Sequence, residues 1–152
     1  MKILANLVRN SIKEVIANAK FCILIDEAQD ESKEKQMVVI LRFVDIDGLV
    51  QEIFFDVVHV NDTSAITLKN ELVSVLSRFN LEVENIRGQG YDGASNMRSE
   101  RNGLQALMLR ECPCAYYVHC YAHILQLALV LASREVLSPS HNISRLRFVH
   151  DY

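Results

Sequence analysis

The 152-residue sequence lacks the features of a membrane protein and of an independent DNA-binding module. It has no run of about 18 apolar residues, the length that a membrane-spanning helix requires. Residues 1–20 carry scattered charges and no apolar signal-peptide core, so we expect an intracellular protein. The net charge is −3, which argues against a free-standing DNA-binding module because such modules usually have a basic face.

Cysteine is sparse, and three of the four cysteines lie close together, at Cys112, Cys114 and Cys120. In an intracellular chain this crowding indicates free thiols or a metal site before disulfides. Together with His123 they offer thiolate and imidazole ligands that suit Zn²⁺. The Cys-x-Cys spacing is tighter than that of zinc knuckles and Pro113 stiffens it, so we expect no zinc. We interpret Cys120 as a small buried residue and His123 as a hydrogen-bonding residue near a helix start.

Half of the residues are hydrophobic, and their spacing predicts the secondary structure. Apolar residues recur with helical period in four segments, 3–19, 65–80, about 101–110 and 121–136. The last of these is apolar almost all round, so we expect it to be buried. Short runs rich in Val, Ile and Phe predict strands, at 21–25, 37–44, 49–60 and 115–119. The first run is continuously apolar, as expected for a strand buried on both faces.

The order of these elements predicts an α/β fold with a mixed sheet flanked by helices. Asp47-Gly48 between the second and third strands indicates a hairpin, because both residues tolerate positive φ. A weak strand over 83–87, running into the glycine-rich segment 88–95, adds a further strand. Three antiparallel strands followed by two parallel strands give the order of an RNase H-like fold. Periodicity by itself leaves other α/β folds open.

Two aspartates are the strongest candidates for chemistry. Asp26 ends the most buried strand, and Asp92 ends or follows the first strand after the long helix. If those strands are parallel neighbours, the carboxylates meet at one edge of the sheet, where ligands bind in open α/β sheets. Close carboxylates repel unless a cation lies between them, and hard oxygen ligands suit Mg²⁺ or Mn²⁺. The alternative is that Asp26 caps a turn and that Asp92 serves the backbone geometry of a glycine loop.

Two other patterns carry less weight. Gly88-x-Gly90-x-x-Gly93 matches the dinucleotide-binding fingerprint. The preceding strand is half polar, however, and Asp92 within the loop would repel a pyrophosphate. The remaining histidines show no pairing that indicates catalysis; they are His59, His119, His141 and His150.

Three segments, read together, closely resemble the catalytic region of hAT-superfamily transposases. They are Ile25-Asp26-Glu27-Ala28-Gln29-Asp30, Gly88-Gln89-Gly90-Tyr91-Asp92-Gly93-Ala94-Ser95-Asn96-Met97 and Val118-His119-Cys120-Tyr121-Ala122-His123-Ile124-Leu125-Gln126-Leu127-Ala128-Leu129. The nearest group is the one named zinc-finger MYM-type-protein-like. The likeness runs from about Ile12 to Val136.

The resemblance implies an RNase H-like fold, a DDE-type mechanism and a nuclear protein. Asp26 matches the first metal-binding acid of the family and Asp92 the second, while Cys120 and His123 match its Cys-x-x-His motif. The family's third acid, a Glu, follows a helical insertion and is not matched here, since Glu135 lies before that position. Two loops also depart from the family, with Ala28-Gln29 for Ser-Thr and Arg98-Ser99-Glu100 for Ser-Gly-Lys.

We therefore expect residues 1–137 to form a partial RNase H-like domain that is truncated before the insertion, with a divergent tail over 138–152. The first hypothesis is a transposase fragment whose ancestor cut and joined DNA and which is inactive alone. The second is a domesticated domain that binds protein partners without catalysis. The third is an unrelated small α/β hydrolase or nuclease that uses Asp26 and Asp92.

Overall fold

The computed structural model of the chain describes residues 2–16, 19–29 and 33–136. Five strands are present in this part of the chain, β1 (Phe21–Gln29), β2 (Lys35–Val44), β3 (Val50–His59), β4 (Ile86–Tyr91) and β5 (Tyr116–His119). The α-helices are α1 (Lys2–Ile16), α2 (Ala65–Arg78), α3 (Ser95–Arg98), α4 (Leu104–Glu111) and α5 (Tyr121–Val136), and a 3₁₀ turn covers Val83–Asn85. The tail predicted over 138–152 lies outside the described residues.

The strands form one five-stranded sheet in the order β3-β2-β1-β4-β5. β1 pairs antiparallel with β2, and β2 pairs antiparallel with β3. β4 lies parallel to β1 on its other side, and β5 lies parallel to β4. This is the predicted mixed sheet of three antiparallel strands followed by two parallel strands. The predicted RNase H-like fold class is therefore confirmed.

The hairpin between β2 and β3 is present, but its turn is longer than a two-residue Asp-Gly turn. The Asp45 N–H donates to the Leu49 carbonyl at 2.9 Å, and the Asp45 carboxylate accepts from the N–H of Asp47 and of Leu49. Gly48 takes a positive φ of 80°, whereas Asp47 does not. The loop is thus shaped by the Asp45 side chain together with one glycine.

One face of the sheet is buried beneath helices α1, α2 and α4. Phe21, Ile23 and Ile25 of β1 point to this face and are at most 4% exposed. They belong to one apolar cluster that also contains helical side chains, among them Ile12, Ile16, Leu68, Leu72, Val75, Leu76, Leu104 and Met108. The helical periodicity read from the sequence therefore identifies the residues that cover this face.

The opposite face of the sheet is open within the described residues. Cys22 and Leu24, which alternate with the buried residues of β1, are only partly buried. Phe54 is 57% exposed and Tyr116 is 69% exposed. The prediction that the first strand is buried on both faces is therefore wrong. An apolar run reveals that a strand avoids water, but it does not reveal whether a second layer covers it.

Helix α5 has the predicted bounds but not the predicted burial. Tyr121, Leu125, Leu129 and Leu131 are between 60% and 76% exposed, although we expected this helix to be buried. An all-round apolar helix needs a partner surface on every side, and the described part of the chain does not surround α5 with one. No described helix is both long and apolar enough to cross a membrane.

Candidate functional site

Asp26 lies within β1 and not at its end. The strand continues to Gln29 because Asp26 still pairs with Val38, and Gln29 pairs with Lys35. The predictions that the strand covers 21–25 and that Asp26 ends it are therefore wrong in their bounds. On the other side of β1, the ladder with β4 ends at the pair Leu24–Gly90. Relative to β4, Asp26 thus lies just beyond the last pair.

Asp92 follows the last residue of β4 directly. It comes two residues after Gly90, as Asp26 comes two residues after Leu24, and those two residues are partners. The register therefore brings the two aspartates to the same level along two neighbouring parallel strands, whose axes lie about 4.8 Å apart. The two strands concerned are adjacent and parallel, as predicted, although Asp92 lies just past the end of β4. That the two carboxylates reach one metal ion remains a prediction.

The two carboxylates interact electrostatically. Burial raises the pKa of Asp26 above its ordinary value, and the negative charge of Asp92 raises it further. The Glu27 backbone N–H and the positive charge of His123 act in the opposite direction. Two like charges this close destabilise each other, and a cation bound between them would relieve the repulsion.

Replacing Asp26 with asparagine should stabilise the protein at neutral pH. Because its pKa is raised in the folded state, the ionised carboxylate weakens the fold, and the favourable contribution is lost as the pH rises through that raised pKa. Asp26 is more than a third exposed, so solvent screens the interaction. We expect a gain in unfolding free energy of roughly 0.3–1 kcal/mol at pH 7.

Urea denaturation of Asp26→Asn across a pH series measures this gain. It should shrink as the pH falls through the raised pKa towards the ordinary value of 3.8, where the unfolded chain is protonated as well. Asp47→Asn in the exposed hairpin turn is the matched control and should show no such trend. A gain that is constant with pH would mean that the Asp26 charge is not its cause.

A third carboxylate, that of Glu27, lies next to this pair. Asn96 Nδ2 donates to Glu27 Oε1 at 2.6 Å and to the Thr63 carbonyl at 2.7 Å. Burial raises the pKa of Glu27, the hydrogen bond from Asn96 lowers it, and the charge of Asp92 raises it again. The sequence pattern assigns no role to Asn96. Glu27 directly follows Asp26, and that adjacency was the available indication.

The loop between β4 and α3, residues 92–94, is called the Asp92 loop below. It also has the local structure expected if Asp92 serves the backbone geometry of a glycine loop. Asp92 Oδ1 accepts a hydrogen bond from the Ala94 N–H at 3.1 Å. The Tyr117 hydroxyl of β5 donates to the Asp92 carbonyl, also at 3.1 Å. Asp92 therefore shapes its own turn while its carboxylate acts on Asp26. The two interpretations of this residue are compatible.

The Cys-x-x-His motif lies beside the loop. The Cys120 N–H donates to the Tyr91 carbonyl at 2.7 Å, and its own carbonyl accepts from Ile124, so Cys120 opens α5. His123 stacks on His119 with ring centroids 6.1 Å apart. The four-residue spacing of this pair crosses from a strand into a helix, and a ring contact of this kind does not by itself indicate catalysis. This ring contact takes the place of the hydrogen bond expected for His123.

His119 also faces the Asp92 loop. A Cβ atom on Gly93 would lie 3.1 Å from His119 Cε1, so the glycine allows the ring to approach. His119 Nε2 is buried and has no hydrogen-bond partner in the described part of the chain. The side chain therefore packs against the site without a polar role in this structure.

The four residues that were considered as zinc ligands, Cys112, Cys114, Cys120 and His123, do not converge on one point. Cys112 Sγ donates to the Ile86 carbonyl at the start of β4, whereas Cys120 bonds to Tyr91 at the end of that strand. The length of β4 separates them by roughly 16 Å. Among the described residues, no group of three or more His, Cys, Asp or Glu side chains is arranged to hold a metal ion. The absence of zinc remains a prediction.

Two of the three glycines of the apparent dinucleotide fingerprint lie inside β4. A Cβ atom on Gly90 would lie 2.5 Å from Leu24 Cδ2, and one on Gly88 would lie 2.9 Å from Cys22 Sγ. These glycines thus make room for the side chains of the neighbouring strand. A phosphate-binding loop would follow the strand, so the fingerprint is coincidental.

Most of the chain matches a known protein family. Residues 1–103 match the family DUF4371, described as "ZMYM1/FAM200, RNase-like domain". The match covers more than half of the chain and includes Asp26, Glu27, Asp92 and Asn96. It ends before α4, β5 and α5, so Cys120 and His123 lie outside it. The family agrees with the resemblance to zinc-finger MYM-type-protein-like sequences.

Proposed function

The chain belongs to the DUF4371 family of ZMYM1/FAM200 RNase-like domains, and from that premise we propose that it is part of an hAT-type DDE transposase catalytic domain. Asp26 and Asp92 are its proposed metal ligands, with Mg²⁺ or Mn²⁺ as the ion. The observation that carries the proposal is the pairing of Leu24 with Gly90, because Asp26 and Asp92 each lie two residues further along the two parallel strands. The ancestral reaction is metal-dependent cleavage and strand transfer of DNA in the nucleus.

The residues at this edge of the sheet fit such an ion. Mg²⁺ prefers oxygen ligands and keeps several waters, so one or two carboxylates are a usual protein contribution. The charge of Asp92 raises the pKa of Asp26, and a divalent cation would remove that repulsion. When bound, the ion would neutralise charge on a phosphate group. The chain itself supplies the two oxygen ligands and the open sheet face beside them.

We propose that the chain alone does not cut DNA at a meaningful rate. Two aspartates hold a pair of metal ions weakly, and phosphoryl transfer depends on ions that are placed firmly. A net charge of −3 also leaves little basic surface to neutralise phosphates.

Binding of Mn²⁺, followed by electron paramagnetic resonance, tests the site. We expect wild type to bind one ion, and Asp26→Asn and Asp92→Asn each to weaken binding by about tenfold or more. Asp47→Asn is the charge-matched control and should bind as wild type does. Equal binding by wild type and both site variants would reject the assignment. Zinc in the same preparations should be well below one atom per chain.

Incubation with Mn²⁺ and supercoiled plasmid tests for catalysis. No nicking is expected from wild type or from Asp92→Asn. Nicking by wild type that Asp92→Asn lacks would show that the chain retains activity and that another acid completes the site.

A second candidate function is supported by the exposed apolar surfaces. Leu125 and Leu129 of α5 are 60% and 62% exposed, and apolar surface of this kind marks protein interaction sites when it is contiguous. The alternative is thus a domesticated domain that binds protein partners without catalysis. Failure of wild type to bind Mn²⁺, with the fold intact, would favour this alternative.

A further inference from the structure

We infer that Asn96 and Glu27 are positioning residues for the proposed metal site, which hold the Asp92 loop against β1. The inference rests on the proposed function and adds residues to which that function assigns no role. Asn96 lies on α3, four residues after Asp92, and Glu27 lies on β1 next to Asp26. Their hydrogen bond therefore connects the two segments that carry the proposed ligands.

The Asn96 amide nitrogen has two donors, and the structure uses both. One donates to Glu27 Oε1 at 2.6 Å, and the other donates to the Thr63 carbonyl at 2.7 Å. Thr63 lies between β3 and α2. A single side chain thus ties the Asp92 loop both to β1 and to the segment that leads into the long helix.

The tie acts against the repulsion between the carboxylates of the site. The negative charges of Asp26 and Asp92 repel each other, and Glu27 adds a third negative charge nearby. The bond from the Ala94 N–H to Asp92 Oδ1 stays within the loop, and the bond from Tyr117 leads to β5. Among the residues that the structure describes, the side-chain hydrogen bond between Glu27 and Asn96 joins this loop to β1.

The geometry assigns Glu27 to positioning and not to metal binding. Successive side chains of a strand point to opposite faces, so Glu27 points away from the face of Asp26. The Glu27 side chain extends towards Asn96, and its Oε1 accepts the hydrogen bond from the Asn96 amide. A glutamine at this position would still accept the same hydrogen bond but would be a poor metal ligand. Glu27→Gln therefore separates the two roles.

The test uses the full chain with Asn96→Ala, Glu27→Ala and Glu27→Gln. Mn²⁺ affinity should fall about tenfold in Asn96→Ala and in Glu27→Ala, the size of effect that residues supporting metal ligands show. Glu27→Gln should stay within about threefold of wild type, because the tie survives. Glu82→Gln removes an exposed charge at the other end of β4 and should change nothing. Glu27→Gln binding as weakly as Glu27→Ala would overturn the positioning role.

A second readout does not depend on the metal. Amide hydrogen exchange of residues 92–98, without added ions, should accelerate about tenfold in Asn96→Ala and Glu27→Ala but not in Glu27→Gln. Ile16→Val, a core change elsewhere, controls for general loss of stability and should not loosen this loop selectively. Unchanged exchange in Asn96→Ala would refute the inference. If wild type binds no Mn²⁺ but Asn96→Ala still accelerates exchange in residues 92–98, the hydrogen bond does hold the loop, and only the proposed function is rejected.

Discussion

Replacing Gln89 with leucine should lower the free energy of unfolding by about 3 kcal/mol. Gln89 is 1% exposed, and its amide nitrogen donates to the carbonyls of Ala115 at 2.7 Å and of Gln105 at 3.2 Å. Its oxygen accepts from the Tyr91 hydroxyl at 2.7 Å. Leucine has a similar volume but leaves all three of these buried groups without this partner. Each unsatisfied group costs about 1–3 kcal/mol, partly offset by apolar burial.

Tyr91→Phe is the matched control because it removes a single hydrogen bond from the same network. Its cost should be about 1 kcal/mol, well below that of Gln89→Leu. Urea denaturation of both variants, with the slope checked for two-state behaviour, gives the comparison. Equal costs for the two would mean that the carbonyls of Ala115 and Gln105 find other partners, and that Gln89 is not the centre of the network.

The fold could be predicted from the sequence where the evidence was local. The buried positions of α2 follow from helical period, whereas those of β1 did not follow from its continuous apolar run, which predicted burial on both faces. The order of helices and strands along the chain could be predicted because each element has its own spacing of apolar residues. Burial of α5 could not be predicted this way, because hydrophobicity measures what a helix avoids and not what lies next to it.

The candidate site also contains residues that the sequence pattern identified and residues that only the structure reveals. Asp26 and Asp92 were found because the sequence pattern placed each of them at the end of a strand, in two strands expected to be parallel neighbours. Asn96 and Glu27 are 69 residues apart, and nothing in either segment indicates the bond between them. Contacts of this range depend on register, such as the pairing of Leu24 with Gly90, which the sequence pattern did not specify. The sequence therefore predicted the proposed metal ligands, but it did not predict the hydrogen bond between Glu27 and Asn96 that holds them in position.

Gly103 occupies the corner between α3 and α4, and replacing it with alanine should cost about 2–3 kcal/mol. A Cβ atom there would lie 2.5 Å from the Ser99 nitrogen, 2.7 Å from the Ser99 oxygen and 2.9 Å from the Met97 oxygen. All three atoms belong to the backbone, so no side-chain rotation can relieve the contact. The Gly103 N–H also donates to the Ser99 carbonyl at 2.9 Å, which holds the corner tight. The glycine is thus required for space, since its φ of −73° is open to any residue.

Gly48→Ala provides the contrast, because Gly48 has a φ of +80° but an alanine Cβ there would meet no atom within 4 Å beyond its chain neighbours. Its cost is backbone strain, about 1–2 kcal/mol, without a steric clash. Thermal and urea unfolding of both variants should therefore place Gly103→Ala below Gly48→Ala in stability. The Gly103 change should also speed hydrogen exchange in α3, since its only relief is to move Met97 and Ser99. A Gly103 variant as stable as wild type would show that α3 is free to shift, and that the corner does not help to fix the segment that carries Asn96.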